Sequence, residues 1–183
     1  MTTLETTIER DGDVKARNQL SPVLRAISKM ILSPGTFYES LPRRGGYGAA
    51  LLFLLACGVV FSLFANLYSG EYKIVYFLIY FLNAVFMPFV TAFILYLVSL
   101  LICKETFPYQ TLFRITAYAN VTLLASWIQG LSWILGIYNL YLIGLGMVKV
   151  GRITARRAFC ALLAGFAILL LLIRFLQPII KYG

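Results

Sequence analysis

Two long stretches without a charged side chain, residues 47–68 and 75–103, constrain this chain more than any other feature. About 20 apolar residues in an α-helix cross the hydrocarbon core of a bilayer, and both stretches meet that length. Inside lipid the backbone must satisfy its own hydrogen bonds, so such segments fold as helices. Further apolar runs follow at 131–148 and 158–176. Between them and the first pair, 108–129 is a more polar run, interrupted by Thr, Asn, Ser and Gln. Composition agrees: 61% of residues are hydrophobic and 13% charged, where a soluble domain carries about 25% charged residues. The expected fold is all-α, a polytopic membrane helix bundle with five transmembrane helices over 46–183. Pro88 falls near the middle of the second span, removes a backbone donor there, and predicts a kink or a break.

Residues 1–20 carry both signs of charge without an apolar stretch, which predicts a flexible cytoplasmic tail. Ser21-Pro22 has the pattern of an N-cap followed by proline at the first helical position. Val23, Leu24, Ile27, Met30 and Ile31 follow at helical spacing, with Arg25 and Lys29 between them. This is a short basic amphipathic helix, ended by Ser33-Pro34-Gly35, that lies either on the membrane surface or against the rest of the protein. Phe37, Tyr38, Leu41 and Arg43-Arg44 then form a linker, so that 21–45 makes one unit ahead of the membrane domain.

Basic residues orient the map. Lys and Arg number 16 against 7 Asp and Glu, a formal charge of +9. With five spans and the N-terminus inside, thirteen basic residues fall on the cytoplasmic side; Lys73, Arg174 and Lys181 fall outside. If 115–129 does not cross, the split is eleven to five. The positive-inside rule favours the five-span map, although a re-entrant hairpin over 115–148 would keep the same count. Arg25, Lys29, Arg43, Arg44, Lys149, Arg152, Arg156 and Arg157 are therefore read as meeting anionic lipid head groups at the membrane surface. The charge does not call for a nucleic acid partner.

Catalytic chemistry finds little to use. There is no histidine, no Asp beyond Asp13, and after Glu39 the acidic residues are Glu71 and Glu105, both in connections. Acid–base pairs, hydrolytic triads and clustered metal ligands lack their members. Cys57, Cys103 and Cys160 lie far apart, and Gly144-Leu145-Gly146 sits within a span rather than between a strand and a helix. No enzyme activity, catalytic residue, cofactor or metal is expected. The remaining lead is polar residues at membrane depth, which lipid leaves unsatisfied unless they pair. Arg114, Tyr118, Thr122 and Ser126 recur every four residues and Gln129 follows, placing all five on one helical stripe; Asn120 lies beside it, and Asn83 is on the second span near Pro88. Two arrangements fit: a polar groove for a lipid head group or small solute, or interhelical hydrogen bonds in the bundle centre. Ser132, Gly136 and Gly144 are small residues that let another helix approach closely.

The order of these features resembles a known family. Ile31-Leu32-Ser33-Pro34-Gly35-Thr36-Phe37-Tyr38 precedes the spans, Ala117-Tyr118-Ala119 lies in the third, and Ile143-Gly144-Leu145 followed by Gly151-Arg152-Ile153-Thr154-Ala155-Arg156-Arg157-Ala158 closes the fourth. The chain is similar to the Yip family, named for proteins that interact with Ypt/Rab GTPases, and most to its short bacterial members. The resemblance implies a five-span domain with a cytoplasmic N-terminus, located in a bacterial cytoplasmic membrane. The Asp-Leu-Tyr-Gly-Pro motif of the eukaryotic members is absent, and Ala117-Tyr118 stands where they have Gly-Tyr, so the resemblance does not carry GTPase binding to this chain. The expected function is a non-enzymatic scaffold or adaptor that associates with other membrane proteins, with itself or with anionic lipid. A lipid or small-solute transporter, and an obligate small subunit of a larger complex, are the alternatives.

Overall fold

The computed structural model describes residues 27–42, 46–70, 74–103, 108–128 and 130–182, with the backbone alone for 102–103 and 172–182. The tail over 1–20, Ser21-Pro22, Arg25, Arg43, Arg44 and Gln129 lie outside the described residues. Among the described residues the only regular structure is helix.

Helical turns over 27–32 break at Ser33, and the chain re-enters helix as α1, Pro34–Ser40. This corrects the expectation that Ser33-Pro34-Gly35 stops helix ahead of a linker. A proline at the first helical position gives up an N–H that would have had no partner anyway. The Phe37 N–H bonds the Ser33 carbonyl at 3.1 Å, and the Ser33 N–H bonds the Lys29 carbonyl at 2.9 Å, so the two helical pieces are joined by the same residue. Met30, Phe37 and Tyr38 are buried, so this face of the described turns packs on the bundle; Val23, Leu24 and Arg25 of the expected amphipathic helix lie outside the described residues. Ile31 and Leu32 point outward, exposed by 57% and 78%.

α2 spans Gly48–Ser69 and ends at Gly70, whose φ of 70° is the left-handed conformation that glycine adopts without a steric penalty. α3 spans Ile74–Val98, and its helical assignment runs unbroken through Pro88. The departure from α geometry comes later, in a π-turn at Ser99–Cys103. Pro88 has no N–H to give the Ala84 carbonyl four residues earlier, yet the helix does not break there. Just beyond it, the Thr116 hydroxyl lies 3.3 Å from the Pro88 carbonyl and the Tyr109 hydroxyl donates to the Phe89 carbonyl, also at 3.3 Å, which links α3 to the next helix.

α4, Tyr109–Ala119, tightens into a 3-10 turn at Asn120–Thr122 and resumes as the four-residue α5, Leu123–Ser126. α6 is Leu131–Lys149 and α7 is Ala155–Tyr182. α7 starts earlier and runs longer than the expected 158–176. Gly48–Tyr68, Ile74–Leu101 and Leu131–Lys149 are long and apolar enough to cross a membrane, and each has a third or less of its most apolar stretch buried in the protein. Their outer faces carry Leu63, Leu82, Phe86, Trp133 and Ile137, among other exposed apolar side chains. Such faces suit lipid, which is as apolar as leucine.

α4 occupies the middle of this arrangement. It packs against α2, α3 and α6, and α1 closes over it from the end of the bundle. Every residue over 111–119 is buried. The most polar helix is thus the most enclosed one, because protein rather than lipid surrounds it on all sides.

Candidate functional site: the polar helix at the bundle centre

The polar stripe of α4 and α5 can be followed from its N-terminal end. Arg114 is only 5% exposed, and its guanidinium Nη1 donates to the Pro42 carbonyl at 2.7 Å. A buried cation needs compensating acceptors, and here a backbone carbonyl just before the first span supplies one. Among the described residues the carboxylate is Glu39, and it pairs with Lys149 at 2.6 Å on the exposed surface. Arg114 therefore ties the segment ahead of α2 to the bundle centre.

Within the next turn, Thr116 and Tyr118 face neighbours. The Thr116 hydroxyl lies within hydrogen-bonding distance of the Phe113 and Leu112 carbonyls, at 2.9 and 3.1 Å, besides that of Pro88. Tyr118 meets Phe37 of α1 edge-on, with ring centroids 5.0 Å apart, and Phe53 of α2 at 5.1 Å. Phe113 meets Phe89 of α3 at 4.4 Å and Tyr47 at 5.5 Å. Aromatic pairs in these geometries contribute about 0.5–1.5 kcal/mol beyond their buried area, so ring contacts join α1, α2 and α3 to α4.

Asn120 Nδ2 returns to the Thr116 carbonyl at 2.8 Å. The Thr122 hydroxyl donates to the Ala119 carbonyl at 3.3 Å and accepts from Asn139 Nδ2 of α6 at 3.0 Å. Ser126 bonds the Leu123 carbonyl at 3.1 Å. Trp127 bonds the Leu124 carbonyl at 2.9 Å and stacks on Phe64 of α2 at 5.1 Å. The Thr122–Asn139 pair is the polar side-chain contact between α6 and the central strip. A double-mutant cycle with Thr122→Val and Asn139→Leu, read by thermal unfolding in detergent, is expected to give a coupling energy of about 0.6 kcal/mol and no more than about 1.7 kcal/mol, the range seen for such bonds in membranes.

Tyr38 completes the site from α1. It is fully buried, its hydroxyl donates to the Ile115 carbonyl at 3.3 Å, and its ring lies against Gly146 of α6. Burial, with a smaller contribution from Tyr138, raises the Tyr38 hydroxyl well above its ordinary ionisation range, so it stays protonated and remains a donor. A Cβ on Gly146 would sit 2.5 Å from Ile115 Cγ2 and 3.0 Å from Tyr38 Cε1. No side chain larger than hydrogen fits there without a shift.

The other sequence-level candidates fall elsewhere. Asn83 is on the exposed face of α3, away from the stripe. Of the small residues on α6, Gly144 approaches Leu162 of α7, with a Cβ position 2.9 Å from its Cδ1. Ser132 is exposed and Gly136 has open space around it, so among the described residues neither receives a helix. Gly146 makes the close contact instead, two residues beyond Gly144 and on another face. Lys29, Lys149, Arg152, Arg156 and Arg157 are exposed. Arg152 also turns the chain between α6 and α7 with a φ of 56°. The sequence reading assigns Phe37 and Tyr38 to a linker and gives Asn139 no role. Ser33-Pro34, which has the same form as Ser21-Pro22, was the available signal for the first two; Asn139, a mid-span amide like Asn83, was the signal for the last.

The chemistry on offer is hydrogen bonding and ring packing within the chain. Among the described residues no three His, Cys, Asp or Glu side chains gather closely enough to hold a metal. No curated protein and no solved structure matches the chain. A family model described as the Yip1 domain does, over residues 28–175, from the turns before α1 through most of α7 and across the whole polar centre. With that match covering far more than half its length, the chain belongs to the Yip1 domain family.

Proposed function

We propose that this protein is a non-enzymatic membrane scaffold or adaptor of the Yip type, with five spans, a cytoplasmic N-terminus and residence in a bacterial cytoplasmic membrane. The observation that carries the reading is the state of the polar centre. Arg114, Thr116, Asn120, Thr122 and Ser126 all bond acceptors inside the chain. Their polarity goes into holding the bundle together, which weighs against a solute path along this stripe. What the protein offers outward is apolar helix faces and a basic end carrying Lys29, Arg152, Arg156 and Arg157, surfaces that suit membrane protein partners and anionic head groups.

The five-span map draws on the charge split and on helix length. α7 has 28 residues, about 42 Å of helix, and 109–126 reaches roughly 27 Å, against a hydrocarbon core of about 30 Å. Chemical crosslinking in intact membranes, followed by gentle detergent purification, tests the adaptor reading. The expected result is a reproducible set of co-purifying membrane proteins; a chain that never brings one down counts against it.

A further inference from the structure

Asn83 presents a polar group where lipid should be. It lies nine residues in from the start of α3 at Ile74, about 14 Å along the helix, and so close to the middle of a hydrocarbon core about 30 Å thick. Its side chain is exposed, and among the described residues it makes no hydrogen bond. Asn120 and Asn139 behave differently: one bonds its own helix and the other bonds Thr122. The face around Asn83 is otherwise apolar, with Ile79, Leu82, Phe86 and Met87 exposed by 43–67%. A carboxamide in hydrocarbon without a partner is costly, because nothing there can replace water.

From this we infer that the Asn83 face of α3 is a homodimer interface, with the Asn83 amides of two copies bonded to each other across a two-fold axis. The occupant follows from the chemistry. A carboxamide carries both a donor and an acceptor, so it is its own complement. A partner for this face must bring one polar group at the same depth on an otherwise apolar helix. A second copy related by a two-fold axis does so by symmetry, since an isologous interface sets each residue near its own counterpart. Leu82, Phe86 and Met87 then flank the paired amides and pack against their equivalents. One asparagine at an apolar helix seam is a known means of fixing register and oligomeric state.

The inference deepens the adaptor reading by naming one surface and one partner, and the two fail separately. The purified full-length chain, reconstituted in phosphatidylethanolamine–phosphatidylglycerol vesicles that contain no other protein, is labelled with a single fluorophore. Stepwise photobleaching is then followed as the protein-to-lipid ratio is raised. Wild type should pass from one step to two. Asn83→Leu, whose change faces lipid and leaves thermal unfolding of the monomer intact, should raise the dissociation constant about tenfold, the worth of two such hydrogen bonds. Asn83→Gln, which keeps the amide, should stay nearer wild type. In a chain lacking Cys57, Cys103 and Cys160, Phe86→Cys should form an intermolecular disulfide on oxidation and Ile137→Cys, on the outer face of α6, should not. A wild type that stays monomeric at every density overturns the inference. So does an Asn83→Leu chain that dimerises unchanged, or crosslinking through Ile137→Cys in place of Phe86→Cys.

Discussion

Replacing Gly146 with valine is expected to lower stability by about 3 kcal/mol, at the upper end of what overpacking a tight contact costs. In a chain of this size that corresponds to a fall of roughly 6–12 °C in the thermal midpoint measured in detergent. Two opposing effects act at the site. Glycine inside a helix is disfavoured against alanine by roughly 0.5–1 kcal/mol, so a substitution in open space would help. At Gly146 the first added carbon already meets Ile115 Cγ2 at 2.5 Å and Tyr38 Cε1 at 3.0 Å. Both neighbours are fully buried, Ile115 is β-branched, and Tyr38 is held by its bond to the Ile115 carbonyl. Neither can swing away, so overlap wins and α6 must separate from α4. Gly136→Ala is the control: nothing lies within 4 Å of its added carbon, and the protein should keep or slightly raise its midpoint.

Tyr38→Ala is expected to cost more, about 3–5 kcal/mol, the usual range for removing a large aromatic side chain from a core. The loss combines a cavity at a fully buried position, the ring contact with Phe37 at 5.7 Å, and the hydrogen bond to Ile115. α1 is seven residues long and cannot hold helix without its tertiary contacts. Limited proteolysis should then cut the N-terminal region well before the membrane bundle unfolds. Tyr38→Phe separates the terms, since it keeps the ring and loses only the hydrogen bond, for about 1 kcal/mol. The same variant carries a pH signature. The folded protein holds the Tyr38 hydroxyl above its unfolded value of 10.0. Its contribution is therefore fully present below about pH 10 and declines as pH rises further. Subtracting the Tyr38→Phe curve from wild type should isolate a loss of stability on that alkaline side and none near neutrality.

The segments legible in the sequence are those whose surroundings are lipid. Expected spans at 47–68 and 131–148 compare with observed helices at Gly48–Ser69 and Leu131–Lys149, because a lipid-facing helix must be apolar over most of its surface and so announces itself by hydropathy. The 108–129 segment gives no such signal. Its central stretch, 111–122, is wrapped by protein, so its polar residues cost little once they are bonded, and a stripe at every fourth residue does not reveal that the opposite faces are buried as well. Spacing placed Arg114, Tyr118 and Thr122 together; it did not name Pro42, Phe37, Phe53 or Asn139 as what they meet. Gly136, Gly144 and Gly146 look alike along the chain. The approach of Ile115 from α4, with Tyr38 from more than a hundred residues away, makes Gly146 the one that cannot change. α1 was missed because seven residues carry little periodicity, and its Ser-Pro start reads equally well as an end. Pro88 predicts a kink or a break; α3 continues through it without a break, and hydroxyls of Thr116 and Tyr109, from another helix, lie against the Pro88 and Phe89 carbonyls.

Whether the polar centre is packed protein or a wet groove is decided most directly by thiol accessibility. Single cysteines at Thr111, Thr116, Ala117, Ala119 and Thr122, each in a chain lacking Cys57, Cys103 and Cys160, would be exposed in intact vesicles to a membrane-impermeant maleimide and to a small charged methanethiosulfonate. A cysteine at the exposed Thr154 would serve as the reactive control. Full protection at all five central positions, lost only on unfolding, is the predicted result. Labelling of Thr122→Cys and Thr116→Cys at rates near that of Thr154→Cys would mean that water runs along the stripe, and would contradict the assignment of this helix to the packed centre of a scaffold.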